Sequence, residues 1–195
     1  MKLSWCGLEL PPGLVATIVT TRGMFYDEMA QTERLIFADW SPKVFAGVPF
    51  RLVDPMGESV PNAIMLHGLL AKLPPTMPKS VRVPCHSAAR AIHFLSGVSG
   101  WGYPTFAKGS VSMTVRLLYE GGVTEDHPLR NGEHFADYDQ RVDVPGSRFA
   151  FQLRGSQLRY LAVFPHRADR IEEIELIKGP DDTAPIIMAI TVQTR

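Results

Sequence analysis

The clearest pattern in the chain is the run Val111, Met113, Val115, Leu117 and Tyr119, alternating with Ser112, Thr114, Arg116 and Leu118. A period of two places the first set on one face, so residues 111–119 read as a half-buried β-strand. Glu120-Gly121-Gly122 turns the chain, and residues 123–129 return as a second strand. Asn131-Gly132 comes next, a hairpin signal because both residues tolerate positive φ, and residues 135–138 follow as a short strand. Pro145-Gly146 marks another turn. Phe149, Phe151 and Leu153 share one face of a strand over 148–153, and Arg154-Gly155-Ser156 turns it back. Leu158, Tyr160, Ala162 and Phe164 line the next strand, residues 171–177 form another, and Ile186, Met188, Ile190 and Val192 alternate to the end.

The first half is less regular. Residues 14–21, 48–53, 63–67, 80–83 and 91–95 are strand candidates, and 23–34 is the only passable short helix. Sixteen prolines, many of them between strands, argue against long helices. Many short strands joined by turn chemistry are the pattern of an all-β, antiparallel β-sandwich. At 195 residues the chain fits a single sandwich domain over 1–195, since such domains run to about 200–250 residues. The proline-bearing stretch 69–78 reads as a loop within that domain.

Charge and cysteine content narrow the partners. Twenty basic and 20 acidic residues cancel, and no Lys/Arg run exists. A general nucleic-acid binder needs a basic excess to neutralise phosphates, so nucleic acid is not an expected partner. No stretch approaches the roughly 18 apolar residues of a membrane helix, and residues 14–19 are too short for the apolar core of a signal peptide. The chain is therefore expected to be an excerpt of a longer polypeptide, or one lacking its export signal. Of the two cysteines, Cys6 and Cys85, the second lies in an apolar stretch and reads as a small buried hydrophobe. Whether they pair is left open by two residues alone.

The search for catalytic chemistry finds little. There is no P-loop or dinucleotide fingerprint, and Gly97-Val98-Ser99-Gly100 is not a nucleophile elbow. No two of His67, His86, His93, His127, His134 and His166 stand at zincin spacing. Surface or satisfied core imidazoles are the expected reading. The carboxylate pairs Glu172-Glu173 and Asp181-Asp182 point to opposite faces if extended, whereas Asp137 and Asp139 can share one. No cofactor is expected; Asp54 and Glu58 around Gly57, or Asp181-Asp182, offer oxygens to a structural calcium ion, but serve equally as polar turns.

The most suggestive segment is 96–109, where Trp101, Tyr103 and Phe106 stand among Gly97, Gly100, Gly102 and Pro104. It links two strands and so belongs at an end of the sandwich. Aromatic rings on such a loop suit sugars, whose C–H faces pack on aromatic planes while polar groups bond the hydroxyls. Trp101 alternatively folds inward and caps the core. Asp137, Tyr138 and Arg154, near turns, add candidate hydrogen-bonding groups.

Several phrases together resemble a known group. They are Gly47-Val48-Pro49-Phe50-Arg51-Leu52-Val53-Asp54-Pro55, His67-Gly68, and Pro78-Lys79-Ser80-Val81-Arg82-Val83-Pro84. Ile92-His93-Phe94-Leu95, the 111–122 strand and turn, Asn131-Gly132 with Ala136-Asp137-Tyr138, and Ala189-Ile190-Thr191-Val192 complete the order. Over residues 40–193 this resembles the galactose-binding-domain-like β-sandwich modules appended to glycoside hydrolases, sulfatases and other secreted proteins of polysaccharide-degrading bacteria. The resemblance implies a jelly-roll sandwich, a non-catalytic role, a glycan or polysaccharide partner, neighbouring domains in a longer parent protein, and a periplasmic or secreted location. It transfers no binding site. The first 40 residues match less well, and supply edge strands or part of a neighbouring domain. Two other readings remain: a structural or protein-interaction domain, and a glycoside hydrolase using carboxylates such as Asp137 or Glu133.

Overall fold

A computed structural model describes residues 5–7, 16–17, 26–27, 32–33, 35–56, 60–70, 73–105, 108–153 and 156–195. The described residues are all-β, with antiparallel strands and no α-helix; Pro74–Thr76 form a single 3-10 turn. The strands are β1 (Trp5–Gly7), β2 (Ala16–Thr17), β3 (Tyr26–Asp27), β4 (Thr32–Glu33), β5 (Lys43–Phe45), β6 (Val48–Phe50) and β7 (Ala63–Met65). There follow β8 (Ser80–Ser99), β9 (Val111–Tyr119), β10 (Thr124–Arg130), β11 (Arg148–Leu153), β12 (Ser156–Val163), β13 (Arg170–Lys178) and β14 (Ala184–Thr194).

The 20-residue strand β8 belongs to two sheets. Its first half pairs with β13, which continues through β9 to β10. Its second half lies between β12, which carries β11, and β14. The far flank of β14 holds β7 and β1, and β7 carries β2. Two strands were expected where β8 runs as one, because Pro84 and Cys85-His86 interrupt the apolar pattern. The ladder instead accommodates them as a β-bulge: Glu173 pairs with Pro84 and Ile171 with Ser87, and His86 takes φ +52° at the extra position. Glu172 then meets His86 Nδ1 at 2.8 Å.

Between the sheets lies a core of Ile92, Phe94, Val98, Met113, Val115, Leu117, Ile174, Leu176, Leu161, Ile187, Ile190 and Val192, with the buried Cys85 among them. The sheet built on β14 has a second apolar face. Leu35, Phe37, Phe50 and Leu52, from the segment that carries the β5–β6 hairpin, cover Met65, Leu95, Leu158, Ile186 and Met188. Burial on both faces is why β14 reads as a nearly unbroken apolar run. It also corrects the expected alternation. A register shift between Ile187 and Ala189 inserts one extra residue, so Ile186 and Met188 face the outer layer while Ile187, Ile190 and Val192 face the inter-sheet core.

Two strand expectations are met closely, whereas the face expected of Leu158, Tyr160, Ala162 and Phe164 stops short, because β12 ends at Val163 and Phe164 is exposed. The runs 111–119 and 148–153 are β9 and β11, with Met113, Val115, Leu117 and Tyr119 all buried. The Gly121-Gly122 turn follows β9, both glycines at positive φ, and the Gly122 N–H donates to the Tyr119 carbonyl at 3.0 Å. The short strand expected over 135–138 is reduced to isolated bridges, Val98 with Asp137 and Asn131 with Phe135. The helix expected over 23–34 is not formed where it is described: Tyr26 pairs with Glu33 and Asp27 with Thr32 as a short hairpin. The rest of that stretch lies outside the described residues. Both β1 and β2 add to the edge of the sheet built on β14.

Candidate functional site

Strand β8 continues through Ser99, so the loop expected over 96–109 begins only at Gly100. From there the chain turns back under the segment that follows β10, and backbone hydrogen bonds stitch the two together. The Tyr138 N–H donates to the Val98 carbonyl at 2.9 Å, and the Asp137 N–H to the Tyr103 carbonyl at 2.9 Å. The Gln157 N–H donates to the Tyr138 carbonyl at 2.8 Å, so β12 backs the same segment. Gly102 is required by close approach: a Cβ there would stand 2.6 Å from Val98 Cγ1 and 3.2 Å from the Asp137 nitrogen.

Asp137 organises this arrangement. It is buried, and its Oδ2 accepts the Gly102 N–H at 2.7 Å while Oδ1 accepts the Asp139 N–H at 2.9 Å. Burial pushes its carboxyl above the usual aspartate value, against the two N–H donors, which pull the other way. The loop that results is open on one side. Leu70, Ser99, Gly100, Trp101, Asp137, Tyr138 and Asp139 line a cleft of about 180 Å³. Trp101, at φ +62°, stands on its rim with 60% of its surface exposed. The inward alternative for this side chain is therefore not adopted: the indole faces solvent.

Arg159, on β12, braces the segment that follows the cleft residues. It is fully buried, donates from Nε to Ser147 Oγ at 2.7 Å and from Nη1 to the Val142 carbonyl at 2.7 Å, and so ties the segment after Tyr138 to β12. On the other side, Ser110 and Ser112 donate to Asp181 Oδ2 at 2.9 and 2.6 Å, and Lys178 Nζ meets Oδ1 at 2.8 Å. Lys178 and these hydroxyls hold the Asp181 carboxyl below its ordinary value, although burial alone would raise it. Asp181 is thus occupied by a lysine and hydroxyls, while Asp54 Oδ1 accepts the Met56 N–H at 2.8 Å in a polar turn. Glu58 lies outside the described residues.

Of the six residues expected at a site, Trp101, Asp137 and Tyr138 come together in the cleft. Tyr103 turns away: its N–H donates to Asn131 Oδ1 at 2.9 Å, and its ring packs over Gly132. Phe106 and Arg154 lie outside the described residues. Leu70, Ser99, Gly100 and Asp139 complete the lining. Ser99 and Gly100 were within reach as neighbours of Trp101, and Asp139 as the alternate partner of Asp137. Leu70 comes from a distant loop and carries no local signal.

Chemically the cleft offers two aromatic side chains, Trp101 and Tyr138, two carboxyl groups and a serine hydroxyl beside backbone polar groups. That set can stack on a ring and hydrogen-bond its substituents. No family model, no curated protein and no solved structure matches this chain.

Proposed function

We propose that this chain is a non-catalytic carbohydrate-binding module that seats a sugar in the cleft beneath Trp101. The observation that carries the reading is the solvent-facing indole on the rim of a cleft whose other walls bear Ser99, Asp137 and Asp139. A sugar's C–H face packs on an indole, and carboxylates and hydroxyls accept and donate to the ring hydroxyls. At about 180 Å³ the cleft is smaller than the roughly 300–1,000 Å³ of pockets for drug-sized ligands, so one ring enters and the rest of a glycan lies outside. Both oxygens of Asp137 already accept backbone N–H groups, which suits a positioning role better than nucleophilic attack.

In this reading the domain is a jelly-roll sandwich of the galactose-binding-domain-like kind, accessory to neighbouring domains of a longer secreted or periplasmic protein. A glycan-array screen of the purified chain tests it. Specific binding that Trp101→Ala removes supports the module, and silence across a broad array refutes it. A second reading, a protein-interaction domain, is favoured by one observation: two large apolar side chains, Leu69 at 61% and Trp101 at 60%, are exposed at or next in the chain to residues that line the cleft. It predicts silence on the glycan array and retention of a partner protein that Leu69→Ser weakens.

A further inference from the structure

Outside the cleft, three side chains converge on one point. Glu125 and His127 stand two residues apart on the edge strand β10 and so share a face. The loop entering β13 brings His166 over them. His127 Nε2 lies 2.6 Å and His166 Nδ1 lies 3.1 Å from the same oxygen, Glu125 Oε1. All three ligand atoms fall within 4.8 Å of one another. Helical spacing rules miss this set, because a strand pairs positions i and i+2 and the third member comes from another loop.

Without an ion, Glu125 Oε1 is over-subscribed. Besides the two imidazoles it receives the His166 backbone N–H at 2.9 Å, three approaches to an oxygen with two lone pairs. The other oxygen, Oε2, accepts the Tyr119 hydroxyl at 2.7 Å, which aims Oε1 at the imidazoles. A carboxylate oriented by an outer hydrogen bond is the usual support of a metal ligand. Ligands at about 2.0–2.2 Å around a tetrahedral ion stand about 3.3–3.6 Å apart, so the 2.6 and 3.1 Å imidazole–carboxylate separations need to widen by no more than about an ångström. Glu125 and His127 side chains are 11% and 14% exposed, whereas His166 is 81% exposed, so the site is floored by protein and open above.

We propose that Glu125, His127 and His166 bind a divalent transition-metal ion, zinc first among them, with at least one coordination position left to water or an external ligand. Two imidazoles and one carboxylate match the zinc class; calcium and magnesium prefer all-oxygen sets. The site shares no residue with the cleft.

The test is calorimetric titration of zinc chloride into the tag-free, chelator-stripped chain, alone and in excess magnesium or calcium. One equivalent should bind in the low-micromolar range or tighter, unaffected by either competitor. His166→Ala, at an exposed loop position, and the isosteric Glu125→Gln should each weaken binding by about tenfold or more, with circular dichroism unchanged. His86→Ala, at a separate imidazole–carboxylate contact, should leave it unaltered. Absence of saturable zinc binding would overturn the proposal, as would binding of equal affinity in the Glu125 and His166 variants.

Discussion

Replacing Asp181 by asparagine tests whether the polar contacts beside the cleft are structural. Lys178 and Asp181 side chains are 5% and 9% exposed, with Nζ 2.8 Å from Oδ1. Removing one member of a buried pair leaves the other uncompensated, at a cost of about 3–5 kcal/mol. Lys178 would still donate to the carbonyls of Gly179 at 2.7 Å and residue 181 at 2.6 Å, and the amide can still serve the Ser110 and Ser112 hydroxyls. Asp181→Asn therefore belongs at the low end, about 3 kcal/mol. Asp181→Ala, which strips the acceptors from Ser110, Ser112, Thr183 and Lys178 together, belongs at the high end, about 5 kcal/mol. Urea unfolding followed by circular dichroism reads both as lowered midpoints at constant slope. Adding Lys178→Met to Asp181→Asn removes the stranded charge and should recover part of the loss. A cost for Asp181→Asn below about 1 kcal/mol, the range of an exposed pair, would show that Lys178 and Asp181 do not act as a buried pair. Calcium should leave the wild-type midpoint in place; a calcium-dependent gain lost in Asp181→Asn would show this aspartate to be an ion ligand instead.

Three further outcomes follow from the same contacts. Burial lowers the imidazoles of His93 and His134 below their ordinary value, and His134 Nδ1 accepts the Arg130 N–H at 3.1 Å, which requires the neutral ring. The unfolded chain then takes up these protons first, so stability is complete above about pH 6.5 and declines as pH falls below it, by up to about 1.4 kcal/mol per unit per histidine; His134→Asn should flatten the slope measured by thermal unfolding between pH 7 and 5. Gly102→Ala places a Cβ 2.6 Å from Val98 Cγ1, and should cost about 1–3 kcal/mol in chemical unfolding and distort the cleft enough to weaken any ligand it holds. Phe94→Ala, in the inter-sheet core, should cost about 3–5 kcal/mol, against less than about 0.5 for Val44→Ala at a 66% exposed position.

The parts of the fold legible in the sequence are those where one face meets the core and the other meets water. Strand β9 is the example: alternation located it to the residue. Legibility failed where that condition failed. Strand β14 is buried on both faces and carries a bulge, so the apparent face of Ile186, Met188, Ile190 and Val192 is split between two apolar layers. Strand β8 hides its continuity behind Pro84 and a residue at positive φ, His86, that alternation does not anticipate. The cleft was half legible. Trp101, Asp137 and Tyr138 were marked by residue type and by the turns near them, and the structure joins them through the Val98–Asp137 bridge. Tyr103 carried the same marks but its loop turns it toward Asn131, a choice made by backbone geometry. The imidazoles of His127 and His166 are 39 positions apart in the chain and meet only through the tertiary fold.

A glycan-array screen of the wild-type chain and Trp101→Ala side by side, with thermal unfolding of both as a control, decides whether this cleft holds a sugar. The wild type should bind one glycan family selectively, the variant should lose that binding, and the two should unfold at equal temperatures, since the indole is solvent-facing. Wild-type silence on the array, or binding that survives in Trp101→Ala, would contradict the assignment of a sugar to this cleft.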